Sequence, residues 1–181
     1  MTLAAGSLLI AACADDNRGE LLNAFEANLT AHDSATEALR LWCAARGLAR
    51  DPVITAQFVR GSDQPPPAGL HTLLEVTSDE PLGYRHVRLS CAGAVLSEAH
   101  NWYVPARLTP EMNRALAQTD TPFGKVAAAL HFTREPQSAV PGPNHSCPGG
   151  VISTHRALLR LPDGRPLAMV VECYTIANLL P

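Results

Sequence analysis

The run Tyr84-Arg85-His86-Val87-Arg88-Leu89-Ser90-Cys91 alternates with the two-residue period of a β-strand. Tyr84, His86, Arg88 and Ser90 share one face, and Arg85, Val87, Leu89 and Cys91 share the other. An arginine on an apolar face constrains the fold, because a buried charge without an anionic partner is costly. A second run, Leu167-Ala168-Met169-Val170-Val171-Glu172-Cys173-Tyr174, is apolar on both faces and contains one carboxylate. A buried cation and a buried acid in a β-rich core suggest a pocket for a small anion. Two simpler arrangements stay open: Arg85 pairs with Glu172, or Arg85 reaches out to a sheet edge.

The rest of the chain supplies cover for such a sheet. Leu21, Leu22, Phe25 and Leu29 form a helical stripe over 19–31. Ser34 with Glu37 three residues later reads as a capping box opening a helix that ends near Gly47. A strand is expected over 52–59, a Pro/Gly loop over 61–69 and a further apolar segment over 70–76. Residues 84–91 and 95–104 read as a hairpin, as do 151–161 and 167–174. Thr109-Pro110-Glu111 marks another helix start. At Asp120-Thr121-Pro122-Phe123-Gly124, Asp120 or Thr121 is expected to cap a helix running through Leu130. Its first N–H groups, at Phe123 and Gly124, are then free for a carboxylate, or bond the capping side chain instead. Residues 136–150 read as a long loop. This order predicts an α+β fold, an antiparallel β-sheet covered by helices on one face.

Composition narrows the partners. The 181 residues suffice for one domain with a real core. Net charge is −3 without a basic run, which argues against nucleic acid as the main partner. No 18-residue apolar span is present, so no membrane-spanning helix is expected. The seven histidines and five cysteines show no ligand-like spacing, so a metal is not expected.

The stretch Met1 to Ala12 is small and apolar, and Ile10-Ala11-Ala12-Cys13 resembles a bacterial lipoprotein processing site. Residues 1–13 are therefore read as an export signal with a lipid anchor at Cys13, or else as a helix lead-in; 20–181 are read as one domain. With the signal in use, the protein is periplasmic or an outer-membrane lipoprotein; otherwise it is cytoplasmic. An exported chain keeps four cysteines beyond Cys13, an even number that suits an oxidising compartment. Cys43 follows Trp42 on the helix after Asp33, and Cys91 shares the inward face of Arg85. A helix over that face would bring them within disulfide reach; two buried free thiols are the alternative. Cys147 and Cys173 rank lower as bridge partners.

Taken in order, Asp33-Ser34-Ala35-Thr36, the Arg85 strand, Val104-Pro105, Thr121-Pro122-Phe123-Gly124, His155-Arg156-Ala157-Leu158-Leu159 and the Glu172 strand resemble the chorismate pyruvate-lyase family over roughly 33–181. The chain is also similar to exported proteobacterial proteins sharing the motif from Leu96 to Asn113. The resemblance implies a chorismate lyase-like fold, related to effector-binding domains of bacterial regulators, with a buried pocket. It implies that Arg85 holds a ring carboxylate, that Phe123 and Gly124 offer backbone donors to it, that Ala35 lines the pocket, and that Glu172 is the catalytic acid at the far end. It further implies elimination of pyruvate from chorismate to 4-hydroxybenzoate without a cofactor. The lyase pattern has a second cation where His100-Asn101 stand, so that cation is expected to be missing here. The alternative is a non-catalytic binding protein with the same pocket.

Overall fold

A computed structural model describes residues 7–61 and 63–180, with side chains from residue 17 onward. The expected signal and lipid-anchor features therefore lie partly outside the described residues: residues 1–6 altogether, and the side chain of Cys13. Among the described residues, the chain forms one six-stranded antiparallel sheet in the order β1-β2-β3-β6-β5-β4. The strands are β1 (Ile54–Phe58), β2 (Gly83–Cys91), β3 (Ala94–Tyr103), β4 (Thr133–Pro141), β5 (Val151–Arg160) and β6 (Pro166–Thr175). The helices are α1 (Ser7–Thr30), α2 (Ala35–Ala45), α3 (Leu70–Leu73), α4 (Pro110–Gln118) and α5 (Phe123–Val126). None of them is long and apolar enough to cross a membrane, among the described residues.

Local chemistry accounts for most boundaries. Ser34 caps α2 by accepting from the Glu37 N–H. Thr109 caps α4 by accepting from the Met112 N–H, with Pro110 at the first helical position. Helix α1 begins at Ser7, well ahead of the stripe at 19–31. Two expectations need correction. Part of the predicted loop at 136–150 is strand: β4 pairs with β5 from Thr133 to Pro141 and carries Pro136 and Pro141, which an edge strand tolerates. The predicted helix through Leu130 is a single α-turn, α5, followed by a 3-10 turn at Ala128–Leu130. Its cap position is Pro122, without a side-chain bond, because Asp120 accepts from the Phe58 N–H of β1 instead.

The two faces of the sheet are packed differently. Helices α1 and α2 bury Phe25, Leu39 and Trp42 against Val87, Leu89 and Tyr174. Next to them, α4 and α5 bury Leu116 and Phe123 against Leu159, Ala168 and Val170. A disulfide joins Cys43 of α2 to Cys91 of β2, with Cα atoms 6.5 Å apart. On the opposite face, α3 and the loops bury Leu70 and Leu74 against Trp102, Leu158 and Met169. A second disulfide, Cys147 to Cys173, pins the 142–150 loop there. Arg107 donates to the carbonyls of Leu74, Glu75 and Pro166, and Asn113 to that of Pro105. Much of the Leu96–Asn113 motif is thus a clamp holding α3 and the start of β6 to the end of β3.

That second face also buries a ring stack across β2 and β3. His100 stacks on His86 at 4.3 Å between centroids, and the Tyr84 hydroxyl meets His100 Nδ1 at 2.8 Å. Burial, helped by neighbouring His86 and opposed by Glu98, pushes the His100 pKa down to about 4. Unfolded histidine titrates near 6.5, so between pH 6.5 and 4 the unfolded chain binds the extra proton. Stability therefore falls as pH drops through that window. Urea unfolding at pH 7 and pH 5 should show wild type losing about 2 kcal/mol more than His100→Gln.

Candidate functional site

The cavity lies where α2 and α5 meet the inward face of the sheet. Pleating puts Arg85, Val87 and Leu89 of β2, Ala99 and Asn101 of β3, and Val170 and Glu172 of β6 on that face. Val87, Leu89, Ala99, Leu159 and Val170 form an apolar floor, and Phe123 and Phe132 flank it. The cavity measures about 60 Å³ and is partly open to solvent, with Asp33, Ser34 and Thr36 on its rim. Ala35 and Gly124 line it as well. A Cβ on Gly124 would sit 3.8 Å from Phe132 and 3.9 Å from the Ser34 hydroxyl, ordinary van der Waals contacts, so a methyl group would fit at this edge.

Glu172 lines the cavity but does not meet Arg85. Its partner is Arg134, which reaches across β5 from the edge strand β4. Arg134 Nη1 and Nη2 donate to Glu172 Oε1 and Oε2 at 3.1 and 2.6 Å. The Tyr174 hydroxyl donates to the same Oε2 at 3.0 Å. Both side chains of the pair are nearly sealed from solvent, at 11% and 8% exposure. Burial opposes the charge on Arg134, yet Glu172, with Tyr174 and Asp33 nearby, outweighs it and holds Arg134 above the ordinary arginine value. Burial next to Glu172 drives the Tyr174 hydroxyl far above its ordinary range.

Arg85 sits one step beyond the cavity floor and is not among the residues lining it. It stands opposite Asn101, which does line it, and one pleat from Val87. Its exposure is 1%, and its guanidinium gives one hydrogen bond, from Nη2 to the Thr119 carbonyl at 2.7 Å. Nε and Nη1 have no partner among the described residues. The charge lies 5.2 Å from the Phe58 ring, and burial lowers its pKa. Both simple arrangements left open for Arg85 thus fail: it neither pairs with Glu172 nor reaches solvent.

A second cation, Arg134, lines the cavity from another strand, but it is paired with Glu172. Arg134 is hard to place from the sequence because β4 is proline-bearing and largely exposed. The alternation Phe132, Arg134, Pro136 ahead of β5 is the signal that marks it. Helix α5 is too short to concentrate a dipole, so Phe123 contributes its ring to the cavity wall more than its N–H. Among the described residues no three His, Cys, Asp or Glu side chains gather to hold a metal.

The arrangement is a chorismate lyase-like fold, and solved structures share it. The chain superposes on PhnF from Mycobacterium smegmatis with a TM-score of 0.59 and 12% identity, covering 82% of this chain and 66% of that one. On the effector domain of PhnF the values are 0.57 and 14%, covering 79% and 88%. A GntR-family transcriptional regulator from Enterococcus faecalis gives 0.51 and 12%, covering 68% and 95%. At these identities the likeness shows the fold alone. No known family model matches the sequence. The chain belongs to the family of the uncharacterized protein y4mC of Sinorhizobium fredii, to which it is 41% identical over 174 residues, covering 86% of this chain and 73% of that protein.

Removing one partner of the Arg134–Glu172 pair leaves the other charged and buried. Glu172→Ala and Arg134→Ala should each cost about 3–5 kcal/mol in urea unfolding. The double variant should cost clearly less than their sum.

Proposed function

We propose that this protein binds a small cyclic or aromatic carboxylate, reversibly and without turnover, in the cavity between α2, α5 and the sheet. One observation carries the reading: Arg85 is fully buried, charged and short of two hydrogen-bond acceptors, next to a cavity with an apolar floor. A carboxylate at the Asn101 end of the cavity would supply an acceptor to one of them, Nε or Nη1, in a fork completed by the second N–H of Nη2. The flat apolar floor suits a ring, and the polar rim suits substituents on it. The likeness to the PhnF effector domain supports binding as the role.

The lyase reading is weaker on chemistry. Elimination of pyruvate from chorismate calls for an acid at the departing ether oxygen. Glu172 accepts hydrogen bonds at both oxygens, from Arg134 and Tyr174, and has no hydroxyl directed into the cavity. Two disulfides among four cysteines favour an oxidising compartment, in keeping with an exported or lipid-anchored protein.

Titration calorimetry with benzoate and cyclohexanecarboxylate tests the reading. Arg85→Met keeps the volume and removes the charge, and should weaken both ligands by roughly 30-fold or more, the effect of truncating a buried charged partner. Unchanged affinity would place the carboxylate elsewhere. Incubation with chorismate should yield no 4-hydroxybenzoate above the uncatalysed rate; steady formation would restore the lyase.

A further inference from the structure

The charges around the cavity do not cancel evenly along its length. At the Arg85 end stands a guanidinium with two nitrogens unpartnered among the described residues and no carboxylate bonded to it; Arg60 and Asp120 both act on its charge, so that end holds two bases and one acid. At the other end Arg134 already donates both terminal nitrogens to Glu172. Asp33 is then left over at that end, close enough to Arg134 to act on its charge. The far end thus holds two acids and one base. Asp33 borders the inner cavity and the two outer recesses that adjoin it. Lys125 borders only the outer recess beside α5. His32 and His155 border the recess beside α1, where His155 is already bonded to Glu26 at 2.7 Å.

We propose that the ligand is a zwitterion, its carboxylate directed to Arg85 and an ammonium directed to Glu172 and Asp33 across a ring-length spacer. The proposal rests on the carboxylate reading of the site and adds the ligand's second pole. Both Glu172 oxygens accept hydrogen bonds, from Arg134 and Tyr174, and a carboxylate such as Asp33 offers acceptors rather than donors. A second carboxylate on the ligand would meet the unpaired Asp33 beside the Glu172 carboxylate, whereas an ammonium can donate to Asp33 and to a lone pair of Glu172 that Arg134 and Tyr174 leave over.

The register sets the spacing. Arg85 is opposite Asn101, Asn101 is opposite Val170, and Glu172 lies two residues further along β6. Two strand spacings and one pleat repeat separate the Arg85 and Glu172 Cα atoms by about 12 Å. A simple α-amino acid carries its two charges on neighbouring atoms and cannot serve both ends. A ring with the charged groups on opposite sides can, lying on the floor that Leu89 and Val170 help form.

Calorimetry on the full chain with three probes decides the matter: 4-(aminomethyl)benzoate, 4-methylbenzoate and terephthalate. 4-(Aminomethyl)benzoate should bind about tenfold tighter than 4-methylbenzoate, as one charge-assisted hydrogen bond allows. Terephthalate should bind more weakly than either. In Asp33→Asn, an exposed position where folding is not at stake, the advantage of the ammonium should shrink severalfold. If the three probes bind equally and all depend on Arg85, the zwitterion is overturned while the carboxylate site stands. If none of them binds in an Arg85-dependent way, the carboxylate site itself falls and the zwitterion with it.

Discussion

The ion pair between Arg134 and Glu172 ties the edge strand β4 to the central strand β6 over the top of β5. It sits on the inward face of the sheet and is nearly closed off from water. Taking both charges out of water is costly, and the bidentate geometry together with the Tyr174 hydroxyl is what offsets that cost. The consequence reaches the cavity directly. With Glu172 committed to Arg134, the far end of the pocket is a fixed polar wall rather than a proton donor. β4 is otherwise exposed along its length, so the pair also anchors the least buried strand of the sheet.

The two arginines of the site are in opposite conditions. Arg134 is satisfied, and its charge is held above the ordinary value by surrounding anions. Arg85 is more deeply buried, has one carbonyl partner, and is held below the ordinary value by burial. An arginine kept charged in such a place costs stability unless something completes its hydrogen bonds. The Cys43–Cys91 bridge holds α2 over β2, with Ser34 and Ala35 at the cavity rim. Such cross-linking limits the motion of the cavity wall and so lowers the ordering cost of binding.

The layout of the sheet was legible where strands alternate or run apolar on both faces, as in β2, β3, β5 and β6. Helix starts were legible where a capping side chain stood three residues before its N–H partner, as at Ser34 and Thr109. The Asp120 start was misread because that carboxylate bonds a backbone N–H of β1, a tertiary contact with no local signature. β4 was hidden for a related reason. An edge strand with two prolines and exposed side chains looks like a loop until its pairing with β5 is known. Ala35, Phe123, Gly124 and Glu172 all line the cavity. Arg85 lies just behind it, and the partner of Glu172 came from the strand that composition concealed.

The central claim is that Arg85, and not Arg134, is the cation awaiting a ligand. Nitrogen-15 NMR of the arginine Nε–H groups during titration with benzoate tests it most directly. The account predicts that the Arg85 Nε–H resonance moves downfield and saturates with the binding isotherm, while Arg134 keeps its shift. A saturating shift at Arg134 with Arg85 unmoved would contradict it.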